Sequence, residues 1–361
     1  MSSLSQPKTI YLHIGHYKTG TSAVQDYLSA HARQLRSSGY LYPACSRPKN
    51  NPTNHGHLAL SLGREHGFVP PPWYGEEVSV EEAFAELHAT LAKATEPNVI
   101  LSSEEFVQLA LREDPVAAVA ALKEQLARYD VKIVFYIREP MSLLKSWFNQ
   151  VNKGPVGTAN FPTFANRLNP EFLSQHAIWS HFSAAFGREN MILVTYKKVG
   201  SDHLREFLQA IGCAHQPPAS LGLVNEAQPS DLLELIRLAK PHHGSYDDVT
   251  VSRIGSAERF AQKIRAISDG YDQIAAMSDE PRKSKLTPEA IFAHHAGLLR
   301  PLVAHGIRHQ AEADNLRELA LQAEGISKGF AHALMEAAQV IRPEGPLILR
   351  KLAEYRKALG L

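Results

Sequence analysis

The sequence predicts an α/β fold with a parallel sheet and a helical C-terminal extension. In the N-terminal half, short apolar runs alternate with stretches of helical period, which is the pattern of βαβ units. An apolar strand near the N-terminus breaks at Gly15, and a helix follows Gly20. After Asn225 the chain becomes a series of helical segments rich in Ala, Leu, Glu, Gln and His. We therefore expect an α/β core at 8–224 and helices at 225–361 that pack on the same domain, with a separate helical domain as the alternative.

Four apolar runs are expected to be strands of the sheet, and five stretches between or after them are expected to be helices. The predicted strands are Thr9–Ile14, Asn98–Ser102, Val131–Ile137 and Met191–Tyr196. The predicted helices are Thr21–Leu35, Val80–Ala94, Pro115–Tyr129, Ser142–Asn152 and His203–Ile211. The segment from Pro43 to Tyr74 is rich in Pro, Asn, Gly and His and is predicted to be irregular. Irregular loops of this length are usually either functional or disordered, and we expect this one to form one wall of a substrate cleft.

Composition excludes several classes of protein. The chain has 361 residues, 38 of them basic and 37 acidic, so it lacks the excess positive charge that non-specific nucleic-acid binding requires. Its two cysteines, Cys45 and Cys213, support neither a disulfide framework nor a zinc cluster and suit a reducing compartment. No apolar run approaches the about 20 residues that span a bilayer, and the first strand leaves no room for a signal peptide. We expect a soluble, cytoplasmic protein without a nucleic-acid partner.

The turn after the first strand has the features of a phosphate-binding loop. Gly15 and Gly20 have the spacing of the nucleotide-binding loop G-x-x-x-x-G-K-[ST], in which backbone N–H groups and a helix N-terminus surround an oxyanion. Thr21 stands where that loop has its lysine, and a lysine lies inside the turn instead, at Lys18. A lysine within the turn suits a bridging oxygen better than a transferred phosphoryl group with its magnesium. The loop therefore predicts an anion site of altered specificity.

A second candidate anion site lies at the end of the third predicted strand. That strand ends in Arg138, Pro140 begins the next helix, and Ser146 follows about two helical turns after the arginine. Arg138 can offer a bidentate fork to a phosphate, and Ser146 can offer a hydroxyl. Two anion sites at the carboxyl ends of neighbouring strands predict a ligand with two separated charged groups.

Together these motifs resemble those of the sulfotransferases that use 3′-phosphoadenosine 5′-phosphosulfate (PAPS). Members carry a K-x-G-T-[ST] loop after the first strand and an R-x-P…S strand-to-helix element, in that order. Weaker similarity continues through Trp179, Phe186-Gly187, Phe207-Leu208 and Ile211-Gly212, so the resemblance covers roughly residues 8–225. One departure is Lys197-Lys198, where relatives often have an acidic residue. The resemblance implies a three-layer parallel sheet of P-loop or sulfotransferase type.

The resemblance also implies a reaction and a set of donor-binding residues. It assigns Lys18, Thr19, Gly20, Thr21 and Ser22 to the 5′ phosphosulfate of PAPS, and Arg138 and Ser146 to its 3′ phosphate. The expected reaction is transfer of a sulfuryl group to a hydroxyl, or less often an amine, of a glycan, glycolipid or small metabolite. The other product would be adenosine 3′,5′-bisphosphate, and no metal is expected. Lys18 would stabilise the charge that grows on the leaving nucleotide in the transition state.

The acceptor requires a general base, and several residues are candidates. Glu104 follows a buried strand at the same sheet edge as the phosphate loops and is favoured over the adjacent Glu105. A helix N-cap by Ser102 or Ser103, with acids in the first turn, explains the same residues equally well without catalysis. His55, and with it His57, is a rival because histidine titrates near neutrality.

Two other classes of function stay open from the sequence. A small-molecule kinase with a phosphate-binding loop would be expected to have lysine at position 21 and an acid for magnesium, but the chain has Thr21. A non-catalytic scaffold could retain the nucleotide pocket and bind a partner through its helical half. Binding of adenosine 3′,5′-bisphosphate without transfer to any acceptor would favour the scaffold.

Overall fold

A five-stranded parallel sheet forms the centre of the α/β part of the protein. The computed structural model describes residues 7–154, 158–197, 200–218, 230–240 and 254–361. The strands are β1 (Thr9–His13), β2 (Tyr40–Leu41), β3 (Asn98–Ser102), β4 (Asp130–Ile137) and β5 (Met191–Thr195). Their order across the sheet is β2-β3-β1-β4-β5, and every neighbouring pair is parallel. Helices flank this sheet, so the predicted fold class is confirmed.

Helices account for most of the remaining described residues. Those before the last strand are α1 (Thr21–Ala30), α2 (Ala32–Ser37), α3 (Gly56–Glu65), α4 (Val80–Lys93), α5 (Pro115–Gln125), α6 (Pro140–Asn152), α7 (Phe161–Arg167), α8 (Pro170–Leu173) and α9 (Gln175–Phe186). Those after it are α10 (Ser201–Ala210), α11 (Ser230–Ala239), α12 (Ala257–Ala275), α13 (Pro288–Ala304), α14 (Gln310–Ala323), α15 (Lys328–Ile341) and α16 (Pro346–Leu359). Short 3-10 helices occupy Pro72–Tyr74, Glu104–Leu111 and Arg188–Asn190.

The four predicted strands are confirmed to within one residue at each end, whereas β2 was not predicted. It has two residues, Tyr40 and Leu41, and pairs with one edge of β3. Two residues cannot display the alternation by which a strand is predicted from sequence. The predicted helix Thr21–Leu35 is two helices, because the chain leaves helical geometry at His31, where φ is −107° and ψ is 22°.

The prediction that Pro43 to Tyr74 is irregular throughout was wrong, because α3 lies within it. Residues Gly56 to Gly63 of this helix are all buried. This ten-residue helix lies inside a segment rich in Pro, Asn, Gly and His, and that composition is typical of loops, so it hides the short helical stretch in the sequence. Gly56 and Gly63, near its two ends, are of a residue type that is common in turns and uncommon within helices.

The chain divides into two compact units whose segments alternate along the sequence. The first comprises the described residues of Met1–Arg138, Ser174–Val224 and Gln273–Arg282, and the second those of Glu139–Leu173, Asn225–Asp272 and Lys283–Leu361. The boundary predicted at Asn225 lies outside the described residues. The division into 8–224 and 225–361 therefore stays a prediction.

The first unit contains the sheet. A core cluster of this unit joins side chains of the sheet to apolar side chains of α1 and α10, among them Val24, Leu28, Tyr136, Leu204 and Phe207. This packing fixes the start of α1 against the ends of the central strands. The loop between β1 and α1 is thereby held at the carboxyl edge of the sheet.

The second unit is helical in its described residues and contains buried polar pairs. Arg237 and Glu234 form an ion pair with exposed side-chain fractions of 1% and 0%. Glu312 accepts hydrogen bonds from His295 Nε2 at 2.7 Å and from Asn160 Nδ2 at 2.9 Å. No helix in the described ranges of the chain combines the length and the apolarity needed to cross a membrane.

Candidate anion-binding and catalytic site

The loop between β1 and α1 is a tight turn with three residues at positive φ. These are Gly15 at 52°, Lys18 at 65° and Gly20 at 80°. Thr19 closes the turn, because its hydroxyl donates to the carbonyl oxygen of His16 at 2.6 Å and accepts from the His16 N–H at 3.1 Å. A lysine at positive φ is uncommon, and such backbone strain clusters at functional sites. The chain therefore places Lys18 in this turn at an energetic cost.

Gly15 is required by both backbone conformation and space. A Cβ atom at this position would lie 2.4 Å from Cγ2 of Thr21. Gly67 offers a matched control, because its φ is also positive, at 82°, but a Cβ there would meet no atom within 4 Å. Both substitutions to Ala place a side chain at positive φ, and only Gly15→Ala adds a clash.

We expect Gly15→Ala to lower the free energy of unfolding by at least about 1 kcal/mol more than Gly67→Ala does. The added loss comes from the overlap with Thr21, which the turn cannot relieve without moving the start of α1. Urea denaturation of the two variants and the wild type measures the difference. Equal losses for the two variants would show that the loop relaxes without cost.

The N-terminus of α1 is suited to bind an anion. Its N-cap residue is Gly20, which provides no side-chain hydrogen bond, and the first turn contains no acidic residue. The first amides of a helix have no partner within the helix, and the helix dipole places partial positive charge there. Thr21 and Ser22 begin this turn, the first buried and the second exposed. The amides and hydroxyls of this turn can therefore hold phosphate or sulfate oxygens.

Arg138 lies next to the loop, as the side-chain contacts of the first unit show. Its guanidinium Nη1 donates to the backbone carbonyl oxygen of Lys18. It also lies over the ring of Tyr196, with Cζ 4.6 Å from the ring centroid. Gln175 holds the backbone of Arg138 on both sides, since its Oε1 accepts from Arg138 N at 2.7 Å and its Nε2 donates to Arg138 O at 2.7 Å. Two basic residues from separate predicted motifs therefore meet at one edge of the sheet.

Ser146 belongs to the second unit, on α6. Pro140 is the first residue of that helix, as predicted, and the Glu139 carboxylate caps it by accepting from the N–H groups of Met141 and Ser142, each at 2.9 Å. Ser146 is half-buried. Its assignment to the 3′ phosphate stays a prediction from the sequence motif.

Glu104 begins the 3-10 helix that follows β3 and is half-buried. Its Oε2 accepts from Gln25 Nε2 at 2.8 Å and from Asn54 Nδ2 at 3.1 Å. Gln25 lies on α1, and Asn54 lies just before α3. The carboxylate is therefore fixed by two neutral donors from two other elements, and it is in the same unit as Lys18.

Glu105 has a different environment from its neighbour. It is 2% exposed, and its oxygens accept from two phenol groups, Tyr17 at 2.5 Å and Tyr74. Burial raises the pKa of Glu105 to about 7, and the hydrogen bond from Tyr17 acts in the opposite direction. Gln108 Nε2 donates to the Tyr17 hydroxyl at 2.9 Å. Glu105 therefore joins Tyr17, which precedes Lys18, to the end of the Pro43–Tyr74 segment.

The N-cap predicted for this segment is confirmed at Ser103. The Ser103 hydroxyl accepts from the Glu105 N–H at 3.2 Å, and Glu104 and Glu105 occupy the first turn. A capping role of Ser103 does not compete with a role of Glu104, because the cap uses the backbone of Glu105 and leaves both carboxylates to other partners.

His55 is a buried residue with both ring nitrogens engaged. Nδ1 accepts from the Ser102 N–H at 3.1 Å, so Nε2 carries the proton and donates to the Pro43 carbonyl oxygen at 2.9 Å. The side chain is 0% exposed, and burial lowers the pKa of His55 to about 3. This environment keeps the imidazole neutral, with each ring nitrogen in a hydrogen bond to the backbone. His57, on α3, is also buried, and burial lowers its pKa.

His13, the last residue of β1, is a second buried neutral imidazole. Its Nδ1 lies 2.8 Å from the Ser102 hydroxyl, and its ring packs against Tyr136 and Phe207. Burial first, and the nearby His203 second, lower the pKa of His13 to about 3. His13 and His55 thus both lie against Ser102, at the carboxyl end of β3.

The two buried histidines give the protein a predictable pH dependence. In the unfolded chain each histidine binds a proton below about pH 6.5, whereas in the folded chain His13 and His55 do so only near pH 3. The unfolded state therefore binds more protons between these values, so stability is full above pH 6.5 and falls as pH decreases. At pH 5 each histidine should lower the free energy of unfolding by about 2 kcal/mol. The raised pKa of Glu105 opposes this trend, because folded Glu105 keeps its proton up to about pH 7.

We therefore expect His13→Asn to remove one part of this dependence. Between pH 7.5 and pH 5.0 the wild type should lose about 2 kcal/mol more of its free energy of unfolding than the variant. Urea denaturation at both pH values measures the two changes. The contribution of Glu105 to the pH dependence is the same in the wild type and the variant, so it cancels in the comparison. Equal changes in variant and wild type would mean that His13 is not held neutral by burial.

Sequence reasoning missed several residues that build this site. Gln25 and Asn54 hold Glu104, Tyr17 and Tyr74 hold Glu105, and Gln175 holds Arg138. Amide and phenol side chains carry no motif, and their partners are 31 to 88 residues away along the chain, so only the three-dimensional structure reveals them. Within the described part of the chain, no group of three or more His, Cys, Asp or Glu side chains is placed to hold a metal ion.

Comparisons with known proteins add little to this geometry. No protein-family model matches the chain, and no curated protein has a significantly similar sequence. A search of solved structures finds a sulfotransferase from Alicyclobacillus acidocaldarius that is 15% identical, with a TM-score of 0.40 over 74% of this chain and 96% of that chain. A TM-score of this size does not establish a common fold.

Proposed function

We propose that the protein is a PAPS-dependent sulfotransferase that transfers a sulfuryl group to a hydroxyl. The observation that carries the proposal is the hydrogen bond from Arg138 to the carbonyl of Lys18. It joins the two motifs that the sequence suggested for opposite ends of one nucleotide. A ligand with two charged groups, one of them in the β1–α1 loop, fits a loop that ends at an uncapped helix start and has the guanidinium of Arg138 beside it.

In this proposal the loop binds the 5′ phosphosulfate through Lys18, Thr19, Gly20, Thr21 and Ser22. The uncapped start of α1 supports this assignment, because its amides have no partner within the helix and Gly20 supplies no side-chain cap. Lys18 stabilises the bridging oxygen as the bond from sulfur to that oxygen breaks. A cation at that point stabilises the transition state more than the bound substrate, because the charge grows during the reaction.

Glu104 is the proposed general base. It takes the proton of the acceptor hydroxyl, the acceptor oxygen forms a bond to sulfur, and the sulfur–oxygen bond to the nucleotide breaks. The electron pair of that bond leaves with adenosine 3′,5′-bisphosphate. Glu104 is preferred to His55 because both nitrogens of His55 are engaged within the protein. It is preferred to Glu105 because Glu105 is 2% exposed and holds two phenols.

The acceptor is proposed to be a glycan, glycolipid or small metabolite with a free hydroxyl. The segment from Pro43 to Tyr74 supports this in part, because it brings Asn54 and Tyr74 next to the two carboxylates. Because these two side chains are engaged by the carboxylates, the contact to the substrate hydroxyl is assigned to Glu104.

The direct experiment is transfer of radiolabelled sulfate from PAPS to a panel of saccharides, phenols and amines. The proposal predicts labelled product with at least one hydroxyl acceptor, formed together with adenosine 3′,5′-bisphosphate. A kinase would instead transfer phosphate from Mg-ATP to the same panel. Binding of the nucleotide with no transfer to any acceptor would favour a non-catalytic scaffold.

Arg138→Ala should weaken binding of adenosine 3′,5′-bisphosphate by about 30-fold or more, because a charge-assisted contact to phosphate is lost. Isothermal titration calorimetry measures the dissociation constant. Arg33→Ala is the matched control, since Arg33 is exposed on α2, away from the loop. A dissociation constant equal to that of the wild type in both variants would remove Arg138 from the nucleotide site.

A further inference from the structure

The two hydrogen bonds to Glu104 end on the same oxygen atom. Gln25 and Asn54 both donate to Oε2, at 2.8 and 3.1 Å. In the part of the chain that the structure describes, Oε1 of Glu104 accepts no hydrogen bond from the protein. The two oxygens of one carboxylate are therefore chemically distinct, and only Oε1 is left to take a proton.

We infer that Gln25 and Asn54 are positioning residues that fix the Glu104 carboxylate so that Oε1 faces the acceptor hydroxyl. This inference rests on the proposed function and names how its base is oriented. Both amides are buried, with exposed fractions of 1% for Gln25 and 2% for Asn54. Side chains packed in this way have few alternative rotamers, so they can hold a partner in one geometry.

The segment that carries Asn54 is fastened both to the end of β3 and to α1, the helix that carries Gln25. His55 follows Asn54, and its N–H donates to the Ser102 carbonyl at 2.9 Å while its Nδ1 accepts from the Ser102 N–H at 3.1 Å. Ser102 is two residues before Glu104. On the other side of Asn54, the Thr53 hydroxyl donates to Asp26 Oδ1 on α1 at 3.0 Å.

These contacts hold Asn54 from both sides. Its neighbour His55 is bonded to β3, the strand that leads to Glu104, and its neighbour Thr53 is bonded to α1, the helix that carries Gln25. The two donors are neutral, so they orient the carboxylate without supplying a counter-charge. A fixed carboxylate loses less entropy when it reaches the transition state than one that must select its rotamer.

Loss of either amide should reduce turnover and leave binding unchanged. Gln25→Met and Asn54→Leu keep approximate size and remove the donors. We expect kcat to fall about ten- to hundredfold in each variant, with the acceptor KM and the dissociation constant of adenosine 3′,5′-bisphosphate changed less than about threefold. Gln34→Met, exposed on α2, and Asn315→Leu, exposed on α14, are the matched controls.

A double-mutant cycle separates positioning from general damage. If the amides act through Glu104, then Gln25→Met and Asn54→Leu should cause no further loss of kcat when Glu104→Gln is already present. Losses that multiply in that background, or an unchanged kcat in the single variants, would overturn the inference. In either case transfer by the wild type would leave the proposed function standing.

A crystal structure of the Gln25→Met/Asn54→Leu double variant provides a readout that needs no activity. The inference predicts that the Glu104 carboxylate leaves its wild-type position or becomes disordered. A carboxylate that keeps the wild-type rotamer would overturn the inference, whatever the enzyme does. If the double variant does not fold, the two single variants serve the same comparison, each with one donor left. Failure of the wild type to transfer sulfate to any acceptor would instead count against the proposed function.

Discussion

Lys18→Ala should reduce sulfate transfer by about a thousandfold, which is the upper end of the range for loss of one electrostatic contact to a transition state. The reason is that the ammonium group is proposed to meet the bridging oxygen only as that oxygen acquires charge. Binding of adenosine 3′,5′-bisphosphate should weaken far less, because the amides of α1 and Arg138 remain. The measurement is kcat from radiolabelled transfer, together with calorimetric affinity for the product nucleotide.

Two further variants make this result interpretable. Lys18→Gln retains side-chain length without charge and should lose nearly as much activity as Lys18→Ala. Lys93→Ala removes an exposed lysine of α4 and should retain wild-type kcat. Because Lys18 is at positive φ, urea denaturation of each variant must accompany the kinetics. A Lys18→Gln variant that folds and turns over at the wild-type rate would contradict the role of the ammonium group.

Glu104→Gln should lower kcat by about a hundred- to ten-thousandfold while nucleotide affinity stays at the wild-type value. Glutamine keeps the shape of glutamate and cannot take the acceptor proton. Glu113→Gln is a matched control, because Glu113 is exposed and lies just after the 3-10 helix that begins at Glu104. Unchanged turnover in Glu104→Gln would exclude Glu104 as the base. Glu105, whose pKa burial raises to about 7, would then be the next carboxylate to test.

The sheet could be predicted from the sequence because its central strands have long apolar runs with clear ends. Those of β1, β3 and β4 are nearly continuous, as expected for strands buried on both faces. The two-residue β2 is too short to show an alternating pattern, and the ten-residue α3 lies within a segment rich in Pro, Asn, Gly and His, so neither could be predicted. The broken helix at His31 depends on local backbone geometry that no composition rule records.

For the candidate site, the sequence identifies the groups that form motifs and misses those that support them. Lys18 and Arg138 could be selected because each belongs to a short motif next to a strand end. Their contact through the Lys18 carbonyl depends on the register of β1 against β4, which pairs His13 with Val134. The engagement of both nitrogens of His55 depends on Ser102 and Pro43, 47 and 12 residues away along the chain. Such contacts follow from tertiary packing. The sequence alone therefore could not show that both nitrogens of His55 are engaged and that His55 is unavailable as a general base.

The central claim is that one nucleotide with phosphates at both ends is held between the β1–α1 loop and Arg138. Isothermal titration calorimetry of the wild type with adenosine 3′,5′-bisphosphate, and separately with ATP and magnesium, tests it most directly. The account predicts binding of the bisphosphate in the micromolar range or tighter, without a requirement for magnesium, and weaker binding of Mg-ATP. Tight binding of Mg-ATP with no detectable binding of the bisphosphate would contradict it and indicate a phosphoryl-transferring enzyme.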